Sequence, residues 1–296
     1  MNGRYAPSPS GDLHVGNLRT AMLAWMFARS TGRGFRMRVE NLDRVRAGAQ
    51  EQQLADLSAL GIDWDPPVVM QSQRRPAYDE AVATLVARGL TYECFCTRRE
   101  IAEAASAPHG VPGHYPGTCR RLTEEERAAR RAERPAALRL ASGVDQFTVR
   151  DVLHGTYTGP VDDLVLVRND GVPAYNLAVV VDDAAMEVDQ VVRGDDLLAS
   201  APRQAYLATL LGTVPPHYAH VPLAVNGLGK RLAKRDGAVT LADLEALGWS
   251  AADLVAAIAA SLGMVARDAA GMLAAFDPAE LPRTPWVFVP PAAPAA

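Results

Sequence analysis

Of the chain's 30 basic residues only two are lysines, Lys230 and Lys234, and both fall in one stretch, "GLGKRLAKRDG". Two compact ammonium groups four residues apart suit a site that needs a point charge on a flexible stem, as a phosphate does. The stretch "RYAPSPSGDLHVGN" near the start sets prolines and glycines around a lone His14. Gly11 and Gly16 let a backbone approach a ligand closely, and a histidine at a helix entrance donates a hydrogen bond to charge developing on a phosphate without acting as a base. Taken alone, this stretch also fits a Pro/Gly turn with an incidental capping histidine. The third group is Cys94, Cys96 and Cys119, with 22 residues between the last two. Three clustered thiols, an odd number, fit a metal site in a reducing compartment better than a disulfide framework. Three thiolates need a fourth ligand, and composition favours His114 or His109 because imidazole commonly binds zinc.

These groups need a scaffold. With 296 residues, 49% hydrophobic and 22% charged, the chain is long enough for about two domains. No signal-peptide pattern precedes Arg4, and the run "AADLVAAIAASLGMVA" is too short and too interrupted by Asp253 to span a bilayer. A cytoplasmic protein with no membrane partner is expected. The net charge of −4 argues against non-specific coating of nucleic acid. The stretch Arg120 to Arg139 holds seven arginines against four glutamates, and its Glu and Arg at i to i+4 spacing read as a solvated helix more readily than as an RNA-facing surface.

The pattern strand "GRYAP", helix "NLRTAMLAWMFARSTG", strand "GFRMRVENLD" and two further helices ended by Gly61 and Gly89 predicts an α/β sheet with helical crossovers. In that architecture a loop between first strand and first helix lies at the carboxyl edge of the sheet, where nucleotides bind. The pattern breaks at Cys94. A Pro/Gly/His-rich loop, a charged helix and β segments around "FTVRDVLHGTYTG" and "DLVLVRNDG" read as an insertion. The continuous apolar run in "AYNLAVVVDDAAMEVDQVVRGDD" predicts a buried parallel strand. Helices "TLADLEALG" and "SAADLVAAIAASLG" follow the lysine stretch, and the Pro/Ala-rich end reads as loose. Arg19 and Arg38 read as ordinary surface residues, because nothing in their spacing singles them out.

Several separated motifs together closely resemble the class I glutamyl-tRNA synthetases. "PSPSGDLHVGN" resembles that family's HIGH motif, "RLAKR" its KMSKS loop, and "RVENLD", "AYNLAVVVDD" and "VVRGDD" match further segments in order, from Arg4 to about Gly263. The resemblance implies a Rossmann-like class I aminoacyl-tRNA synthetase catalytic domain with a zinc-binding insertion and a short C-terminal helical region. The implied boundaries are 1–92 and 175–236 for the two halves of the catalytic domain, 93–174 for the insertion and 237–296 for the helical region. It implies activation of L-glutamate by ATP with Mg²⁺, giving glutamyl-adenylate. His14, Asn17 and Lys234 are the implied catalytic residues, and with Gly16 they form the ATP site. Arg4, Tyr5, Ala6, Pro7, Ser8, Glu40, Tyr175 and Arg193 are the implied glutamate site.

Physical chemistry agrees with that set, since a dicarboxylate bearing one ammonium needs a cationic fork and a carboxylate. The bland alternatives are a salt bridge to Asp195 or Asp196 for Arg193, and a surface place at a strand end for Glu40. Two departures stand in the signature loop, Arg231 for its first lysine and Ala233 for its serine; the lost hydroxyl weakens the case for tight ATP binding.

About sixty residues follow Lys234, too few for the anticodon-gripping domains of full-length members. That length, and the Cys-x-Cys and Tyr-x-x-x-Cys elements, resemble a shortened branch of the family that loads glutamate onto the queuosine base in the anticodon of tRNA(Asp). The branch implies one structural zinc per chain with Tyr115 as fourth ligand beside Cys94, Cys96 and Cys119, and a monomer. Two alternatives remain open: a related enzyme that loads a different tRNA or small molecule, and a non-catalytic nucleotide-binding regulatory protein.

Overall fold

The computed structural model describes residues 1–97, 99–101, 115–230, 232 and 239–290. Lys234, Arg231, Ala233, His109 and His114 lie outside the described residues. Elements are numbered in chain order.

Strands β1 (Asn2–Tyr5), β2 (Gly34–Val39) and β3 (Asp65–Met70) pair in parallel, with Asn2 opposite Gly34 and Val39 opposite Met70. On the other side of β1 the chain returns as β9 (Gln190–Gly194), tied in by a parallel bridge between Asn2 and Val188. Two backbone bonds close that bridge, Asn2 N–H to the Glu187 carbonyl at 3.1 Å and Asp189 N–H to the Asn2 carbonyl at 3.1 Å. Strand β10 (His217–Val221) pairs in parallel with β9. The strand order is therefore β3-β2-β1-β9-β10, and the direction in which successive strands are added reverses between β1 and β9. A crevice forms at such a reversal, outside the carboxyl ends of the strands. The loop after β1 and the end of β9 both open into it.

Helix α1 (Val15–Arg29) lies against β1, β2 and β9, and most of its residues are buried, as expected of a helix that is apolar nearly all round. Gly32, at φ +70°, sits just past its end. Helices α2 (Ala49–Ala59) and α3 (Arg75–Ala87) follow β2 and β3.

Within residues 93–174 two different structures occur. Strands β4 (Thr91–Cys94), β5 (Ala137–Leu140) and β8 (Val165–Val167) make a small antiparallel sheet beside helix α4 (Glu124–Glu133). The hairpin β6 (Gln146–Asp151) and β7 (Gly155–Pro160) instead joins the main sheet, where Asp151 pairs in parallel with Tyr218 of β10. No residue of α4 is buried, and its Arg131 binds Glu93 and Glu124 while Arg134 binds Glu100. These ion pairs run mainly across the fold rather than along the helix.

One expectation is corrected. The run Leu177 to Val181 is helical, in α5 (Tyr175–Ala185), and the buried strand comes later at Gln190–Gly194. A short continuous apolar run carries no period, so burial on all sides looks the same for helix and strand.

Helix α6 (Ala201–Leu210) precedes β10; α7 (Leu241–Ala246), α8 (Ala251–Ser261) and α9 (Ala269–Ala274) come after the lysine stretch. Leu244, Leu254, Ile258 and Met272 share one core with Leu18 and Met22 of α1. A short parallel pair, β11 (Ala224–Val225) with β12 (Trp286–Val287), brings the chain's end back beside the crevice. Among the described residues no helix is long and apolar enough to cross a membrane.

Arg19 and Arg38 are not surface residues. They are the largest fully buried side chains of the described residues, 1% and 0% exposed. Arg19 donates to the Pro222 carbonyl at 2.7 Å and to Ser261 Oγ at 3.1 Å, so it ties α1 to the segment before β11 and to α8. Burial pulls its pKa down to about 10, with Asp195 opposing.

Candidate active site

The crevice is a cleft of about 540 Å³. Tyr5, Ala6, Pro7 and Ser8 line it from the end of β1, His14, Gly16 and Asn17 from the start of α1, Glu40 from the end of β2, Tyr175 from the start of α5 and Arg193 from β9. Leu232, the described residue of "RLAKR", lines it too, and its N–H bonds the Ala224 carbonyl at 3.2 Å. Ten sequence-predicted residues thus come together around one space. Arg4 is not among the residues that line it, and Lys234 lies outside the described residues.

The start of α1 explains His14. Its Nδ1 accepts from the Asn17 N–H at 3.2 Å, and Asn17 Oδ1 accepts from the His14 N–H at 3.3 Å, a reciprocal cap. With Nδ1 used as an acceptor, the proton of the neutral ring sits on Nε2. That leaves His14 a donor whose ring lines the cleft. A Cβ at Gly16 would fall 3.0 Å from the His14 ring, so glycine keeps this ring in place.

Beneath the cleft floor lies a charged network that the sequence did not reveal. Arg38 NH1 donates to Asp183 Oδ1 at 2.6 Å, and its NH2 donates to Glu40 Oε1 at 3.1 Å. Arg4 joins from β1: its Nε lies 3.5 Å from Asp183 Oδ1 and its NH1 donates to the Val192 carbonyl at 3.2 Å. Asp182, the neighbour of Asp183, accepts from Gln71 Nε2 and Tyr78 Oη at 2.8 Å each and from Arg74. The motif "VVDD" therefore locks α5 to β1, β2 and α3. Apart from its place among the segments that carry the family resemblance, its signal in the sequence was two adjacent acids after an apolar run, a pair that ordinarily marks a surface.

Glu40 is not a surface residue either. Only 12% of its side chain is exposed, and burial pushes its carboxyl above the ordinary range while Arg38 and Arg4 oppose that shift. A carboxylate so placed gains from a cation arriving in the cleft. Arg193 donates to Gln204 Oε1 at 2.8 Å, the Leu197 carbonyl at 3.4 Å and His220 Nε2 at 3.0 Å. An acid, a guanidinium and the half-exposed Tyr175 thus face a helix N-terminus across one cleft. Such a cleft can hold a zwitterion with a second carboxylate against a phosphate.

A second cluster lies in the insertion. The Sγ atoms of Cys94, Cys96 and Cys119 all lie within 4.8 Å of one another, with Cys96 and Cys119 at 3.5 Å. Tyr115 Oη stands 3.3 Å from Cys94 Sγ and 3.7 Å from Cys96 Sγ. Tetrahedral zinc with Zn–S bonds of about 2.3 Å sets ligand atoms about 3.8 Å apart, so these four atoms are compatible with the ion.

A family model described as tRNA synthetases class I (E and Q), catalytic domain, matches residues 1–279. The chain belongs to this family. It is 66% identical over 287 residues, 97% of this chain and 92% of the other, to a glutamyl-Q tRNA(Asp) synthetase of Nocardia farcinica. A protein of the same name from Symbiobacterium thermophilum is 45% identical over 304 residues, covering 96% and 94% of the two chains. Among solved structures, a glutamate tRNA ligase from Elizabethkingia meningosepticum in complex with its amino acid superposes with a TM-score of 0.81 at 26% identity. That match covers 98% of this chain and 67% of the ligase. The α/β sheet is thus the catalytic fold of an aminoacyl-tRNA synthetase-like ligase.

Proposed function

We propose that the protein activates L-glutamate with ATP and transfers it to the queuosine base in the anticodon of tRNA(Asp). The observation that carries this reading is the single cleft in which Glu40, Tyr175 and Arg193 face His14 and Asn17. Arg193 suits a carboxylate, which a guanidinium grips bidentately, and Glu40 suits the substrate ammonium. The other glutamate carboxylate then attacks the α-phosphorus of ATP in line, forming glutamyl-adenylate and releasing pyrophosphate. Transfer of this kind is mostly positioning and electrostatic stabilisation, so His14 Nε2–H, the N–H groups at the start of α1 and Lys234 surround the phosphates, with Mg²⁺ accompanying ATP. No protein nucleophile is required. A hydroxyl of the modified base attacks the activated carbonyl next, and AMP leaves. The names of the relatives from Nocardia farcinica and Symbiobacterium thermophilum support this acceptor.

Cys94, Cys96, Tyr115 and Cys119 would hold one zinc ion, which supplies a structural cross-link; four protein ligands leave no open position for catalysis. A cytoplasmic place follows from a tRNA substrate. The test is ATP–pyrophosphate exchange: glutamate should stimulate it without tRNA, and other amino acids should not. Labelled glutamate should then appear on tRNA(Asp) bearing queuosine and be absent from the same tRNA without it. Exchange that no amino acid stimulates sinks the enzyme reading.

A further inference from the structure

Arg193 does not stand alone at the cleft wall. Behind it lies His220, whose side chain is 0% exposed, and behind that Asp151, also 0% exposed. His220 Nε2 receives the Arg193 Nε–H at 3.0 Å, and His220 Nδ1 lies 2.6 Å from Asp151 Oδ2. A guanidinium nitrogen can only donate, so Nε2 must present its lone pair and the imidazole proton must sit on Nδ1, pointing at the carboxylate. Asp151 is itself held: Oδ1 accepts the N–H groups of Leu153 and His154 at 2.9 Å each, and Oδ2 accepts the His220 N–H at 3.0 Å. Burial works against its charge, yet the bonds from His220, His154 and Leu153 hold its carboxyl below the ordinary range. Gln204 and the Leu197 carbonyl hold the other end of the guanidinium, whose carbon lies 5.5 Å from the centroid of the Tyr218 ring.

We propose that Asp151 and His220 are positioning residues, which hold Arg193 by its Nε so that the guanidinium meets the carboxylate of the amino acid in the cleft. The chain of bonds runs from β6 through β10 to β9, so the hairpin that joins the edge of the main sheet has a role in substrate binding. This inference rests on the reading of the cleft as the glutamate site.

His220→Asn and His220→Gln separate this role from a merely structural one. The asparagine amide occupies the place of Nδ1, keeping the bond to Asp151 and losing Arg193; the glutamine amide reaches the place of Nε2 and offers Arg193 an acceptor. In glutamate-dependent exchange, H220N should raise KM for glutamate by about tenfold or more while KM for ATP moves by less than about twofold. H220Q, which restores the acceptor for Arg193 but not the bond to Asp151, should recover part of that loss. Unchanged glutamate KM in a folded H220N, or an H220Q no better than H220N, overturns the proposal. Should either variant not fold, the His220 tautomer in the unaltered protein decides through long-range ¹H–¹⁵N correlations: Nδ1–H is expected, and Nε2–H overturns it. Failure of the underlying reading looks different, since the unaltered protein would then show no exchange dependent on glutamate.

Discussion

The Arg38 side chain is fully buried, and three carboxylates surround it: Asp183 at 2.6 Å, Glu40 at 3.1 Å and Asp182 at 3.8 Å. Removing one member of such a cluster leaves the others charged and unpaired, which costs more than the pairing ever contributed. Arg38→Met should therefore destabilise the fold by about 3–5 kcal/mol, read from urea unfolding. The same cluster sets an acid limit. Burial opposes ionisation of Asp183, but Arg38 and Arg4 hold its carboxyl below the ordinary aspartate value. A group whose folded pKa is depressed stabilises above its unfolded value of about 3.9 and loses that contribution as pH falls through the folded value. The loss of stability below about pH 4 should accordingly be shallower in R38M than in the unaltered protein. A parallel pH dependence in both proteins would rule out this assignment.

At the scale of elements, the start of α1 combines two functions in one histidine. The ring caps the helix through Nδ1 and lines the cleft. Asparagine is as good a cap as any residue but carries no Nε2–H at that reach. His14→Asn should keep the melting temperature close to that of the unaltered protein and lower kcat of glutamate-dependent exchange by about 10²-fold, the usual loss of one charge-stabilising donor. His14→Ala should lose the same activity and also about 1 kcal/mol of stability. If H14N kept full kcat, the ring would be a cap and nothing more.

Across the whole molecule, the cysteine cluster is wired to the main sheet through the segment after β7. Tyr115 N–H donates to Asp162, Tyr92 Oη donates to Asp163 at 2.6 Å, and Arg203 at the start of α6 lies 3.4 Å from Asp162. Arg139 stacks on the Tyr115 ring with its guanidinium carbon 3.7 Å from the centroid. A metal at this cluster would brace the small sheet against the large one. Chelation, or Cys119→Ser, should remove about one zinc ion per chain and lower the melting temperature by about 5 °C or more. Exchange activity at low temperature should fall far less. A protein purified without zinc that melts at the same temperature with and without chelator would refute the metal site.

What was legible in the sequence was local or carried by separated motifs. The Pro/Gly loop before α1, the glycines that end helices and the clustered thiols declare themselves within a few residues, because turn chemistry, capping and ligand chemistry act over short spans. The α/β alternation follows from periods of 2 and 3.6 that need no partner to be seen. Tertiary structure alone decided where the charges went. Arg38 finds Asp183 across 145 residues and Arg193 finds His220 across 27, pairings that no helical or strand period encodes. Tertiary structure also made a helix of Leu177 to Val181, where burial on every side erased the period, and placed β6 beside β10. In the opening stretch, composition marked the loop as a site, but only the closing of β9 against β1 turned Arg4 inward to Asp183 and left Tyr5 to Ser8 at the cleft. An ion buried in a low-dielectric interior must find its counter-ion wherever the chain returns, and that return is a property of the folded whole.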